Sequence, residues 1–131
     1  RFALLLRGVA RVELANELPA ADRMYRRVAA KQLIDAAIDE RDAADHQRRL
    51  ISLCDRLAEV LDQGGPQLRD LVRAFDAPGM CADAVAAALI MDIDARQELL
   101  EACCPLERLQ RTMGHVGHLL CELAPCEAVV N

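Results

Sequence analysis

The stretch "RAFDAPGMCADAVAAALIMDIDARQELLEACCPLERLQ", residues 73–110, decides how the chain folds. "DAPG" (76–79) is a turn by composition. Cys81, Val85 and Leu89 then recur at the helical period, and the many alanines between them let a small helix pack closely. Asp92 is placed to cap a helix through "ARQELLEA" (95–102). At "ACCPLERL" (102–109) Cys103 ends that helix, Cys104 takes the N-cap position and Pro105 starts the next.

Working outward from there, the last helix runs from Pro105 to about Leu123, with Leu106, Leu109, Met113, Val116 and Leu120 as its apolar stripe. The tail beyond it, "APCEAVVN", has no strong pattern. Upstream, Leu68, Leu71, Val72 and Phe75 mark a helix opened by Pro66. Gly64 and Gly65 close a longer one carrying Leu50, Leu53, Cys54, Leu57, Val60 and Leu61. Asp39, Glu40, Asp42 and Asp45 gather near its start, where negative charge suits the helix dipole. About five helices are therefore expected over about 42–123.

Residues 2–34 read differently. Their apolar runs are short and broken by Gly8, Pro19 and charges. "VARVEL" (9–14) alternates, with Ala10, Val12 and Leu14 on one side, and "YRRVAAKQLI" (25–34) suits a second strand. Leu4, Leu5, Val9 and Val12 also fit a helical stripe; Gly8 and the valine content favour strands. The expected class is α+β, mainly α, with strands in about 2–34 ahead of the helices.

Composition narrows the function. Three aromatic residues, Phe2, Tyr25 and Phe75, leave the core aliphatic. The net charge of −5 and the lack of interleaved aromatics exclude nucleic acid as the main partner. No run of about 18 apolar residues occurs, so no membrane partner is expected. "RFALLL" is not a signal peptide, and we read the chain as a cytoplasmic fragment whose beginning has been cut off. Fifteen arginines against one lysine, with abundant alanine, suggest a bacterial genome rich in G and C. The six cysteines, Cys54, Cys81, Cys103, Cys104, Cys121 and Cys126, are expected as reduced thiols in such a chain.

Candidates for chemistry are few. Ser52, Thr112 and Lys31 are each alone of their kind; Ser52 falls inside an amphipathic helix with no glycine elbow around it. "DQGGPQ" lacks the spacing and the lysine of a phosphate loop. His115, His118 and Cys121 lie along one helical face, where Cys103, Cys104 or Cys126 would have to complete a tetrahedral zinc site. The plainer reading is a solvated pair of histidines and a packed cysteine. Cys103 and Cys104 are too close in sequence for an unstrained disulfide. Cys104 before a helix is a candidate reactive thiolate, against a plain junction. Glu98 and Glu101, three apart, are either a general-acid pair or a solvated face.

Residues 73–110 resemble the helical part of the N-terminal substrate-recognition domain of Lon-type ATP-dependent proteases. The matching elements are Asp76, Pro78 and Gly79; then Cys81-Ala82-Asp83; then Gln97-Glu98-Leu99-Leu100-Glu101; then Glu107-Arg108-Leu109. "LLLRGVARVELANELP" and "YRRVAAKQL" are similar to the family's later strands, with Gly8, Arg11, Val12, Tyr25 and Arg26 in the signature places. The likeness runs from Arg1 to about Leu120. Cys104 departs from the family's Asp-like N-cap, Cys81 from its usual leucine, and Gly114 and Gly117 interrupt the last helix.

The resemblance implies that residues 1–38 are the C-terminal part of a truncated β-rich subdomain, that 39–124 are a helical subdomain, and that 125–131 are a tail. It implies a non-catalytic module that needs no cofactor, since the family's ATPase and Ser-Lys protease parts lie elsewhere. Unfolded or tagged polypeptide segments, and a Lon-type ATPase or protease, would be its partners. The ending "ELAPCEAVVN" suits a stand-alone bacterial protein of this domain. Gly8, Arg11, Pro78, Asp83, Gln97, Glu101, Glu107, Arg108 and Leu109 would be structural signature positions. The alternatives are a thiol- or zinc-dependent protein using His115, His118 and the cysteines, and a helical module that self-associates.

Overall fold

The computed structural model describes residues 3–4, 8–19 and 24–124. The expected tail from 125 on, with Cys126, lies outside the described residues, as do Arg1, Phe2 and Leu5. Two antiparallel strands precede five helices, so the class is α+β, mainly α. The chain forms two compact units, residues 1–35 and 36–131.

The first unit is a hairpin of β1 (Val12–Leu18) and β2 (Arg27–Gln32). Val12 pairs with Gln32, Leu14 with Ala30 and Glu17 with Val28, with an irregularity between Leu14 and Glu17. The strand expected at 9–14 thus sits further along the chain. Its extent follows the partner strand's hydrogen bonds rather than the alternation. The Leu33 N–H donates to the Arg11 carbonyl at 2.9 Å, and the Arg11 guanidinium pairs with Asp35. Arg26 grips the Glu17 carboxylate through two bonds, 2.7 and 2.8 Å, which holds that carboxyl below its usual range. Val12, Leu14, Val28 and Ala30 share one face of the hairpin, and all four are exposed.

The second unit packs α1 (Glu40–Val60), α2 (Gly65–Arg73), α3 (Pro78–Leu89), α4 (Ile93–Glu101) and α5 (Pro105–Leu123). Asp39 caps α1 by accepting from the N–H groups of Arg41 and Asp42. Gly64 adopts φ 84° between α1 and α2, a conformation that costs glycine least. Gly65 follows because the chain passes against the Ala58 carbonyl: a Cβ there would lie 2.4 Å from its oxygen. The turn expected at 76–79 is shorter than that. Pro78 and Gly79 are already in α3, since proline's fixed φ suits the first helical position.

One core joins α1, α2, α3 and α5 through Leu50, Cys54, Leu57, Leu68, Val72, Cys81, Val85, Leu109, Val116 and Leu120. On α5 the buried face is rotated from the expected stripe. Leu106 is only half-buried, while Arg108 and Thr112 are buried beside Leu109. Among the described residues, no helix is long and apolar enough to cross a membrane.

Candidate functional site

The fourth helix is the loosest part of the bundle. It has nine residues, and only Leu99 among them is buried. Asp92 caps it, its carboxylate accepting from the Ala95 N–H at 2.7 Å. Leu99 joins Ala86 and Ile90 in a small second cluster, with Ala95 packed against it. Two arginines fix the helix in place. Near its start, Arg96 donates to the Ala87 carbonyl on α3 at 2.5 Å. At its end, Arg108 of α5 donates to the Ala102 carbonyl at 3.0 Å. A cation there also suits the negative end of the helix dipole.

Held at those two points, α4 leaves an open groove of about 480 Å³ against α5. Ala95, Glu98 and Leu99 line it from α4; Arg111, Gly114, His115 and His118 line it from α5. The α5 positions follow the i, i+3, i+4, i+7 spacing, so they form one continuous wall. Gly114 opens the middle of that wall: a Cβ built there meets nothing within 4 Å. Arg111 spans the groove's edge, donating to Glu98 at 2.8 Å and to Glu107 at 2.7 Å. His118 lies 3.3 Å from Glu122.

The signature positions fall in three places. Gly8 is exposed ahead of β1, and Arg11 pairs with Asp35 beside it. Pro78 opens α3, and Asp83 on the same helix lies 2.9 Å from Nε of Arg108. Gln97 donates to Glu101 at 2.7 Å along α4, and Glu107 holds Arg111. Leu109 is fully buried. The structure thus joins Asp83, Arg108 and the end of α4, and it sets Glu107 beside the groove through Arg111.

Other candidates separate. Cys104 is the N-cap of α5, with no side-chain capping bond, and Cys121 is in its last turn. The helical rise puts them about 25 Å apart, so they cannot share a metal. Among the described residues no group of three or more His, Cys, Asp or Glu side chains is placed to hold a metal ion. The Cys103 thiol sits 3.6 Å from the Glu101 carbonyl, an ordinary junction contact. Cys54 and Cys81 are buried in the core, and the Cys81 thiol donates to the Val72 carbonyl at 3.4 Å. Ser52 is exposed on α1 beside Asp45, Arg48 and Arg49, and the one carboxylate among these neighbours, Asp45, is paired with Arg48. Glu98 and Glu101 serve separate partners, Arg111 and Gln97.

Sequence reasoning found His115 and His118 but read them as ligands or solvated groups rather than a groove wall. It missed Arg111 outright and saw Gly114 only as a weak point in a helix. The one available signal was their shared spacing on α5.

No curated protein sequence matches the chain. The model of one family, described as the ATP-dependent protease La (LON) substrate-binding domain, matches residues 1–118. That span covers the hairpin and every residue named above as lining the groove, and the chain belongs to the LON substrate-binding domain family.

Proposed function

We propose that this chain is a non-catalytic polypeptide-recognition module, and that it holds unfolded or tagged segments in the groove between α4 and α5. Family membership supports substrate recognition. The observation that carries the location is the groove itself, with Ala95 and Leu99 on one side and the bare backbone of Gly114 on the other. Such a surface accepts many apolar side chains without demanding one shape. We assign residues 1–38 to the end of a β-rich subdomain and 39–124 to the helical subdomain that does the binding. A Lon-type ATPase or protease is the partner to which captured segments would pass.

The test is binding of a reduced, alkylated, fluorescently labelled protein, compared with its folded form, to the chain and to Gly114→Leu. The unfolded form should bind preferentially, and Gly114→Leu should abolish binding while keeping the helical circular dichroism. Equal binding of folded and unfolded forms would contradict the proposal.

A further inference from the structure

The groove is apolar in its floor but acidic around its edge. Glu98 lines it directly. Asp94 and Glu101, four residues before and three after Glu98 on α4, stand exposed on the flank of that helix beyond Glu98, where Glu101 accepts from Gln97. On α5, Glu107 is held by Arg111 and Glu122 lies against His118. Glu98 is thus the carboxylate in the groove's lining, and Asp94, Glu101, Glu107 and Glu122 stand further out on the same two helices. The one arginine that lines it, Arg111, already divides its guanidinium between Glu98 and Glu107. Arg96 turns away to the Ala87 carbonyl.

The length of the wall sets the size of the occupant. From Arg111 to His118 it covers seven helical steps, about 10 Å. An extended chain advances about 3.3 Å per residue, with successive side chains on opposite sides. The groove thus takes about three residues, one side chain pointing to the floor and its neighbours toward the edges.

Building on the recognition role above, we propose that the preferred occupant is an extended segment with an aliphatic side chain flanked on either side by Lys or Arg. The aliphatic group fills the space over Gly114, between Leu99 and His115. The flanking cations meet the carboxylates of α4 on one side and those of α5 on the other. Acidic flanks meet the same carboxylates and are repelled.

The experiment uses three labelled peptides of equal length and identical aliphatic residues, flanked by Lys, Ser or Glu, titrated into the full chain at low and high salt. At low salt the Lys-flanked peptide should bind roughly three- to tenfold more tightly than the Glu-flanked one, the size expected of one or two exposed ion pairs. Salt should shrink that difference. Asp94→Asn combined with Glu98→Gln should also shrink it, and Gly114→Leu should remove binding of all three peptides. Equal affinities for the three peptides, all lost in Gly114→Leu, would overturn the charge preference and leave the groove as the binding site. Binding that survives Gly114→Leu unchanged would overturn the groove itself and the preference with it. Gly117→Ala lies outside the groove lining and should bind as the parent does, which separates a plugged groove from a changed helix.

Discussion

Arg108 carries a charge into the core at 1% exposure, and its head group ties three helices together. Its Nε faces Asp83 on α3, its Nη1 holds the last carbonyl region of α4, and its stem packs within α5. Arg108→Ala removes that packing and frees the end of α4. Because Asp83 is half exposed, its carboxylate can turn to water, so the loss should stop at about 2–4 kcal/mol. Chemical denaturation would measure it. Nothing in the sequence marks this arginine as buried. The family resemblance singles it out as a signature position but not as a buried one, because its partners are brought to it only by the packing of α3 and α4 on α5. Cys54 is a second residue whose burial alters its chemistry. Burial first, then nearby Cys81 and Asp55, push its thiol from 9.0 up to about 12. Burial raises Cys81 as well, against a lowering contact from Gln47. Between those two values the unfolded chain loses a proton that the folded chain keeps. Stability present below about pH 9 should therefore fall as pH rises toward 12. Denaturation midpoints across that range would show it, and Cys54→Ala should have the flatter profile.

Among the elements, those with a local cause were the ones legible beforehand. The caps at Asp92 and Cys104 act through neighbouring backbone, and the structure has each where the sequence puts it; the Gly64-Gly65 break is shifted, since α1 already ends at Val60, Gly64 caps α2 and Gly65 rather than Pro66 is its first residue. The other boundaries that moved, at β1 and at Pro78, depend on a partner strand or on a proline's fit to the first helical turn. The groove could not be read at all, because it is a gap between two helices whose separation is set by Arg96 and Arg108. The fifth helix gives the prediction at this level. Gly114 and Gly117 both have open space around an added Cβ, so neither is needed sterically. Alanine at either should stabilise the helix by up to about 1 kcal/mol, seen as a higher thermal midpoint. Gly65→Ala should do the reverse, since its Cβ would collide with the Ala58 carbonyl.

For the molecule as a whole, one family match spans the hairpin unit and the helical unit as far as residue 118. The helical unit has a firm core in α1, α2, α3 and α5, with α4 attached at its edge. That arrangement suits the role proposed above, in which the core resists change while the surface between α4 and α5 stays open to a chain with no fold of its own. Gly114 joins the two roles. It weakens α5 slightly, and in return it leaves the groove wall without a side chain.

Amide chemical-shift mapping of the isotopically labelled chain, titrated with an unfolded aliphatic peptide flanked by lysines, tests the groove most directly. Shifts concentrated at Ala95, Glu98, Leu99, Arg111, Gly114, His115 and His118 are the predicted result. Shifts centred elsewhere, with these residues unmoved, would contradict it.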